Sequence, residues 1–311
     1  MHIALFIWDR LPVRRYGGTQ RIVVYLARGL AAAGHRVTLL ASAGSDVPEA
    51  TLAPIDPRQA RSPGFDLRPH LPRGLDILLS FVPLAVSPEL PWIRSLHGNR
   101  KSGAAGSPNT VYLSRDHATR HGGTAFVYNG LDLAEFRFRR EKAEYDLFLG
   151  RLHSVKGYHW AIEGARRSRR RLLIGGGWRP SLRREVRFVG QVGGERKAEL
   201  LAGAQCLWMP ALWDEPFGLT LIEALASGTP VLGTRRGALP EVVSPEVGAL
   251  GESVDELVVL RPALDRIDPA ACRGRVERYF THHAMTEGYL RMFRAFLATG
   301  VLPEGKAIEA S

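Results

Sequence analysis

Short apolar runs alternate with stretches of helical period along most of the chain. The first run, HIALFI, reads as a strand. GGTQRIVVYLARGLAAAGH then reads as a loop followed by an amphipathic helix. Its apolar residues recur at Ile22, Val23, Leu26, Leu30 and Ala33, and Gly34 supplies the stop. RVTLLAS follows as a buried strand. Strand, helix, strand is the unit of a parallel sheet, whose neighbouring strands need a crossover connection. LDILLSF, WIRSLHG, TVYLS and AFVYNG are further strand candidates, whereas the proline-rich stretch 47–72 reads as irregular.

A second series begins after the charged run RFRREKAEY. It reads as strand DLFLGRL, helix YHWAIEGARR, strand RRLLIGG, short strand VRFVGQV, helix ERKAELLAGA and strand CLWMP. The loop and helix of PALWDEPFGLTLIEALASG come next, then strand TPVLGTR and the short pieces ALPEVV and DELVVL. Two consecutive series predict an α/β fold of two Rossmann-like domains facing each other across a cleft. The expected boundaries are 1–139 and 140–274, with 275–311 a terminal helical segment lying across or beside the domains. The aromatics of that segment (Tyr279, Phe280, Tyr289, Phe293, Phe296) are expected in the core. In open parallel sheets ligands sit at the C-terminal ends of the strands, so the loops after the strands are where chemistry is sought.

Charge and cysteine content narrow the setting. The formal charge is +11, from 42 basic and 31 acidic side chains, with the larger share of the excess in residues 1–139. Such a balance suits an anionic substrate or a peripheral contact with an anionic membrane surface. Only five of the 42 basic residues are lysines, so much of it is also a preference for arginine. The two cysteines, Cys206 and Cys272, form neither a CxxC nor a metal-ligand spacing, which fits a reducing, cytoplasmic location. The start does not read as a secretory signal. No apolar run reaches the ~20 residues that span a bilayer.

Several loops carry candidate chemistry. In FLGRLHSVKG, Arg151 follows a strand end and Lys156 precedes a helix. A guanidinium, an ammonium and a helix N-terminus together form an anion site of the size of a pyrophosphate. The paired Gly17 and Gly18 after the first strand, and the GGGW run 175–178, allow close backbone approach to a ligand, but neither is a dinucleotide fingerprint. His97 ends a strand and is followed by glycine, which points it into the cleft rather than the core, either toward a ligand or as a satisfied histidine at the rim. His117 and His121 stand four apart with no carboxylate at metal spacing. In DEPFGLTLIEALASG, Glu223 lies in an apolar helix, where a carboxylate is costly unless it is paired or bonded to a ligand. A vicinal diol such as a ribose is a suitable partner. Glu215, in the turn ahead, can accept from sugar hydroxyls, beside the amides of Phe217 and Gly218.

In order along the chain, GG at 17–18, HG at 97–98, Ser114 in VYLS, YNGLD, GRLHSVKG, RFVGQV, EPFGLTLIEALASGTPV and GALPEV resemble the retaining glycosyltransferases of family 4, which have the GT-B fold. The resemblance spans nearly the whole chain. It implies transfer of a hexosyl group from a nucleoside-diphosphate sugar, UDP- or GDP-linked, to an acceptor hydroxyl, with no metal and no further cofactor. The resemblance leaves the acceptor open among a small polar molecule, a glycan and a lipid-linked compound. Implied catalytic residues are His97 by the sugar 6-hydroxyl, Arg151 and Lys156 on the diphosphate, and Glu215 near the sugar 3- and 4-hydroxyls. Gly17, Gly18, Gly190, Phe217, Gly218, Leu219 and Thr220 complete the donor set, and Glu223 takes the ribose. The terminal helix is implied to return to the N-terminal domain. Glu215 is not cast as a covalent nucleophile, because same-face attack is the usual proposal for this fold.

The chain departs from the pattern in two places. It is short between Gly44 and His97, where acceptor loops lie, and LLIGGGW has no acid after its glycines. Two rival readings share some of these features. A nonhydrolysing nucleotide-sugar epimerase has the same fold but needs an acid/base set that is not evident. A non-catalytic sugar-, nucleotide- or nucleic-acid-binding protein could use the RRSRRR run at 166–171, but no nucleic-acid-binding signature accompanies it.

Overall fold

The computed structural model describes residues 1–13, 17–99, 107–181 and 184–308. Arg14, Arg15 and Tyr16 of the loop after the first strand lie outside them. The described chain forms two compact units, Met1–Gly130 with His282–Ala307, and Leu131–Thr281.

The first unit is built from β1 (His2–Phe6), α1 (Gly18–Ala32), β2 (Arg36–Ser42), β3 (Thr51–Ile55), α2 (Pro57–Ala60), β4 (Ile77–Ser80), β5 (Trp92–Ser95), β6 (Thr110–Val111) and α3 (Arg115–Arg120). Its sheet is parallel, in the order β3-β2-β1-β4-β5-β6. Ile3 of β1 sits opposite both Val37 and Ile77. β3 falls in the stretch read as irregular. Its Pro54 cannot donate to a ladder, and an edge strand is where that is tolerated. AFVYNG forms no named strand. Only an isolated bridge joins Phe126 to Tyr112.

The second unit contains β7 (Asp146–Leu149), α4 (Tyr158–Arg167), β8 (Leu172–Gly175), β9 (Val186–Gly190), α5 (Gly194–Gly203), β10 (Cys206–Met209), α6 (Leu219–Ala226), β11 (Val231–Thr234), α7 (Leu239–Val242), β12 (Gly248–Gly251), α8 (Val254–Leu260) and α9 (Pro269–Tyr279). The sheet is again parallel, in the order β12-β11-β10-β7-β8-β9. Every residue of β7, β8, β10 and β11 is buried. These strands therefore read as continuous apolar runs, as strands covered on both faces do. α10 (His282–Thr299) belongs to the first unit, and its buried residues include Met285, Tyr289, Leu290, Met292 and Phe293.

The charged run before β7 is part of the second unit. Leu131 N–H donates to Phe280 O (2.8 Å) and Ala143 N–H to Gly203 O (2.8 Å). Arg137 pairs with Glu195 (2.5 Å) and with Glu199. Lys142 donates to Ala202 O, Ser227 O and Thr229 Oγ1, so one ammonium meets the C-terminal ends of α5 and α6. The unit break thus lies at 130/131 rather than inside the charged run, because that run's bonds are made to the second unit's helices.

At the N-terminal end of β7, Asp146 and Arg261 form a fully buried ion pair of 2.5 Å. Trp208 Nε1 (2.8 Å) also donates to Asp146, and Asp265 takes a further guanidinium donor (2.7 Å). Each charge is hydrogen-bonded as well as paired, the condition under which burial is tolerated.

Candidate functional site

In each sheet the connections run outward from one strand to both sides, which creates a switch point. In the second unit it lies between β7 and β10, the strands that precede the two motif-bearing loops. The loop after β7 carries Arg151 and Lys156, and the loop after β10 carries Trp213, Glu215, Phe217 and Gly218.

Close backbone packing joins these loops. Leu212 N–H donates to Val155 O (2.8 Å). Gly157 has φ +69, and a Cβ there would lie 1.7 Å from the carbonyl oxygen of Pro210. Only glycine satisfies both the left-handed backbone and that contact. On the other side of the turn, Gly237 of GALPEV has φ +59, and a Cβ would lie 2.3 Å from the Glu215 nitrogen. Ala238 N–H then donates to Glu215 O (2.9 Å). The backbone of Glu215 is therefore held by the segment after β11.

The side chains meet accordingly. Lys156 Nζ lies 2.5 Å from Glu215 Oε2, with the two side chains 14% and 11% exposed. Trp213 Nε1 donates to the same oxygen (2.9 Å), and its ring lies under the Lys156 ammonium, 4.4 Å from the centroid. Arg151 is exposed at the start of the loop. Gly190 ends β9, and its carbonyl accepts from Gly176 N–H (2.8 Å).

Gly218 caps the N-terminus of α6 at φ 85. Leu219 and Thr220 open that helix, where backbone N–H groups lack intrahelical acceptors and favour an anion. Phe217 is buried, its ring packed against that of Phe280 with centroids 5.7 Å apart. Glu223 is 1% exposed one turn into α6. Lys197 of α5 reaches it at 2.7 Å. A carboxylate in an apolar helix thus has its charge partner within the protein.

Motif reading does not reach Lys197 or Trp213. The one available signal is compositional: in a chain whose cations are mostly arginine, two of the five lysines stand against the two motif glutamates.

The first unit presents its own candidates. Gly17 precedes α1 and Gly18 opens it, and Gln20 of that helix donates to Asp9 of the loop before it (2.9 Å). His97 follows β5, half-buried, with its ring 5.4 Å from that of Phe81. Its Nε2 is 2.9 Å from Ser95 Oγ, which is 2.7 Å from the Tyr289 hydroxyl. Burial lowers the His97 pKa to about 3, so the imidazole is neutral. His117 accepts from Leu113 N–H at Nδ1 (3.3 Å), so its Nε2 carries the proton and donates to Gly98 O (3.3 Å). That bond anchors the turn after His97. Burial, the largest cause, also lowers His117 to about 3.

Other features are accounted for locally. His121 stacks on Tyr112, and His117 meets both rings edge-on. Among the described residues no group of three His, Cys, Asp or Glu side chains is placed to hold a metal ion. In the arginine run, Arg166 pairs with Glu163, Arg167 with Asp255 and Arg170 with Asp265. Among the described residues no helix is long and apolar enough to cross a membrane.

Comparison with known proteins gives one consistent result. Residues 144–260 match the family described as glycosyl transferases group 1, and residues 16–103 match Glycosyltransferase Family 4. The chain is 30% identical over 154 residues to the uncharacterized glycosyltransferase MJ1607 of Methanocaldococcus jannaschii, covering 40% of this chain and 39% of that protein. It is 38% identical over 105 residues to D-inositol 3-phosphate glycosyltransferase of Streptomyces avermitilis, covering 33% of this chain and 22% of that one. The chain therefore spans well under half the length of these relatives. The crystal structure of AviGT4, a glycosyltransferase involved in avilamycin A biosynthesis, superposes with a TM-score of 0.79 at 28% identity, covering 97% of this chain and 99% of that one.

Proposed function

The chain belongs to glycosyltransferase family 4, with the paired Rossmann-like units of the GT-B fold, and from that premise we propose that it transfers a hexosyl group from a nucleoside-diphosphate sugar to an acceptor hydroxyl, with retention and without a metal. The observation that carries the reading is the constellation at the β7/β10 switch point. There Lys156 of the loop after β7 meets Glu215, and in the helix that follows Glu223 meets Lys197, so each glutamate of the EPFGLTLIE motif has a lysine at hydrogen-bond distance.

The division of labour follows from charge and geometry. A departing nucleoside diphosphate develops negative charge, which must be met where it forms. Arg151, Lys156 and the opening amides of α6 at Leu219 and Thr220 supply that field. Glu223, recessed in α6, accepts from the ribose hydroxyls, and Lys197 keeps its charge compensated. Glu215 accepts from the hydroxyls of the transferred sugar, and the backbone N–H groups of Phe217 and Gly218 donate to that sugar. Gly190 gives the ligand close access to backbone.

In this proposal the second unit binds the donor and the first unit receives the acceptor, with Gly17, Gly18 and His97 as its contributions toward the sugar. A neutral His97 can donate to or accept from a sugar hydroxyl without adding charge. The acceptor hydroxyl attacks on the face the diphosphate leaves, and a phosphate oxygen takes its proton. UDP- and GDP-sugars are the first donors to test. A reducing, cytoplasmic setting agrees with two buried free thiols.

The deciding experiment is a thermal-shift and hydrolysis screen of the native protein with UDP-, GDP-, ADP- and dTDP-sugars, in the presence of chelator. Stabilisation by one nucleotide and slow release of its sugar are expected. Isomerised sugar would indicate an epimerase, and binding without any turnover a non-catalytic protein.

A further inference from the structure

We propose that Trp213 is a positioning residue of this site: its indole N–H holds the Glu215 carboxylate while its ring face holds the Lys156 ammonium, so that the two charges can separate onto different parts of one sugar nucleotide. The inference rests on the donor reading above and adds a residue outside the motif glutamates and cations.

Two donors converge on one oxygen. Glu215 Oε2 receives Lys156 Nζ at 2.5 Å and Trp213 Nε1 at 2.9 Å, and Lys156 Nζ also stands 4.4 Å from the indole centroid. Both charged side chains are nearly closed to water, 14% and 11% exposed. A diphosphate drawing on Lys156 competes directly with Glu215. Once the ammonium turns away, a carboxylate this deeply set would be left uncompensated, at considerable cost. The indole N–H prevents that. It is a donor only and it is neutral, so it stays on the carboxylate and has no affinity for phosphate charge comparable to that of a cation.

The ring gives Lys156 a second attachment through its quadrupole. The ammonium therefore need not re-enter water between its two partners. The spacing supports the arrangement: Trp213 is two residues before Glu215 in a turn whose backbone is fixed by Gly237 and Ala238. A phenylalanine at 213 would keep the ring and lose the donor, and a leucine would lose both.

Isothermal titration of UDP, UDP-glucose, GDP and GDP-mannose into native, Trp213→Phe and Trp213→Leu protein tests this. For the base that binds, Trp213→Phe is expected to hold diphosphate affinity within about twofold while affinity for the sugar conjugate falls about tenfold, the scale of one hydrogen bond to a charged group. Trp213→Leu is expected to weaken both. Equal losses on nucleotide and conjugate in Trp213→Phe, or no loss on either, would overturn the proposal.

A ligand-free readout accompanies it. The indole N–H resonance absent from the spectrum of Trp213→Phe should move in Glu215→Ala, and an unmoved resonance also overturns the assignment. Native protein that binds none of the four compounds and none of the ADP- and dTDP-sugars refutes the donor reading itself and the proposal with it. Native binding with an unaffected Trp213→Phe refutes the proposal alone.

Discussion

The Lys197–Glu223 pair allows a sharp prediction, because its two members are buried to different degrees. The carboxylate side chain is 2% exposed and the lysine side chain 19%, at a separation of 2.7 Å. Removing the lysine, as in Lys197→Met, leaves a charge that cannot reach water. Breaking a buried pair in that way costs about 3–5 kcal/mol. Removing the carboxylate charge, as in Glu223→Gln, leaves an ammonium on a long stem that can swing outward, and a carboxamide that can still accept. The cost then falls to about 1–2 kcal/mol, the value of one lost charged hydrogen bond. For a protein of this size each 1 kcal/mol moves the melting temperature by about 2–4 °C. Lys197→Met should therefore melt roughly 6–20 °C below the native protein, and Glu223→Gln no more than about 8 °C below it. Differential scanning calorimetry of the two variants at neutral pH, without ligand, measures the difference. The reasoning is refuted if Glu223→Gln is the more destabilised, or if the two are equal. The same Glu223→Gln protein should bind nucleoside diphosphate about tenfold more weakly, a loss independent of its stability.

Other outcomes are equally specific. Lys156→Ala should lower turnover of the nucleotide sugar by about 10²–10³-fold, the usual effect of losing one group that meets developing charge; steady-state hydrolysis measures it, and full activity would exclude the diphosphate role. Chelator should leave native turnover intact, and activity abolished by chelator and restored by a divalent ion would overturn the metal-free reading. Gly237→Ala places a methyl 2.3 Å from the Glu215 nitrogen at a positive φ, so kcat/KM should fall at least about tenfold while circular dichroism shows a folded chain. The folded-state pKa of His117 lies at about 3, below its ordinary value of 6.5. Its contribution is thus full above pH 6.5 and lost as pH falls toward 3, because only the unfolded chain takes up the proton. Urea unfolding at pH 7 and pH 5 should show about 2 kcal/mol less stability at the lower pH from this residue alone, and His117→Asn should lack that increment.

The fold's outline was legible because burial on both sheet faces leaves continuous apolar strands, and the connecting helices keep their own period. DLFL, LLIG, CLWM and VLGT stood out for that reason. β3 and β12 did not. Thr51–Ile55 contains a proline, and Gly248–Gly251 is mostly glycine and alanine, so neither carries a strand's composition. Their place at the outer edges of the sheets is what admits such sequences. The terminal helical segment reads as one pattern, but α9 and α10 belong to different units, divided at Thr281/His282. Helical periodicity records which face is apolar and not what covers it.

By itself the sequence determined the two parallel α/β series, the loops that carry the chemistry and the family motif with its two glutamates, since each depends on local order along the chain. Only the tertiary structure decided which charges meet. Lys156 finds Glu215 across 59 residues, and Lys197 finds Glu223 across 26. Trp213 lies close to Glu215 in sequence, yet its role follows from the ammonium above its ring. Burial and pairing at those distances are set by the order of strands β7 and β10 and by the glycines that let their loops touch, which is information no local pattern holds.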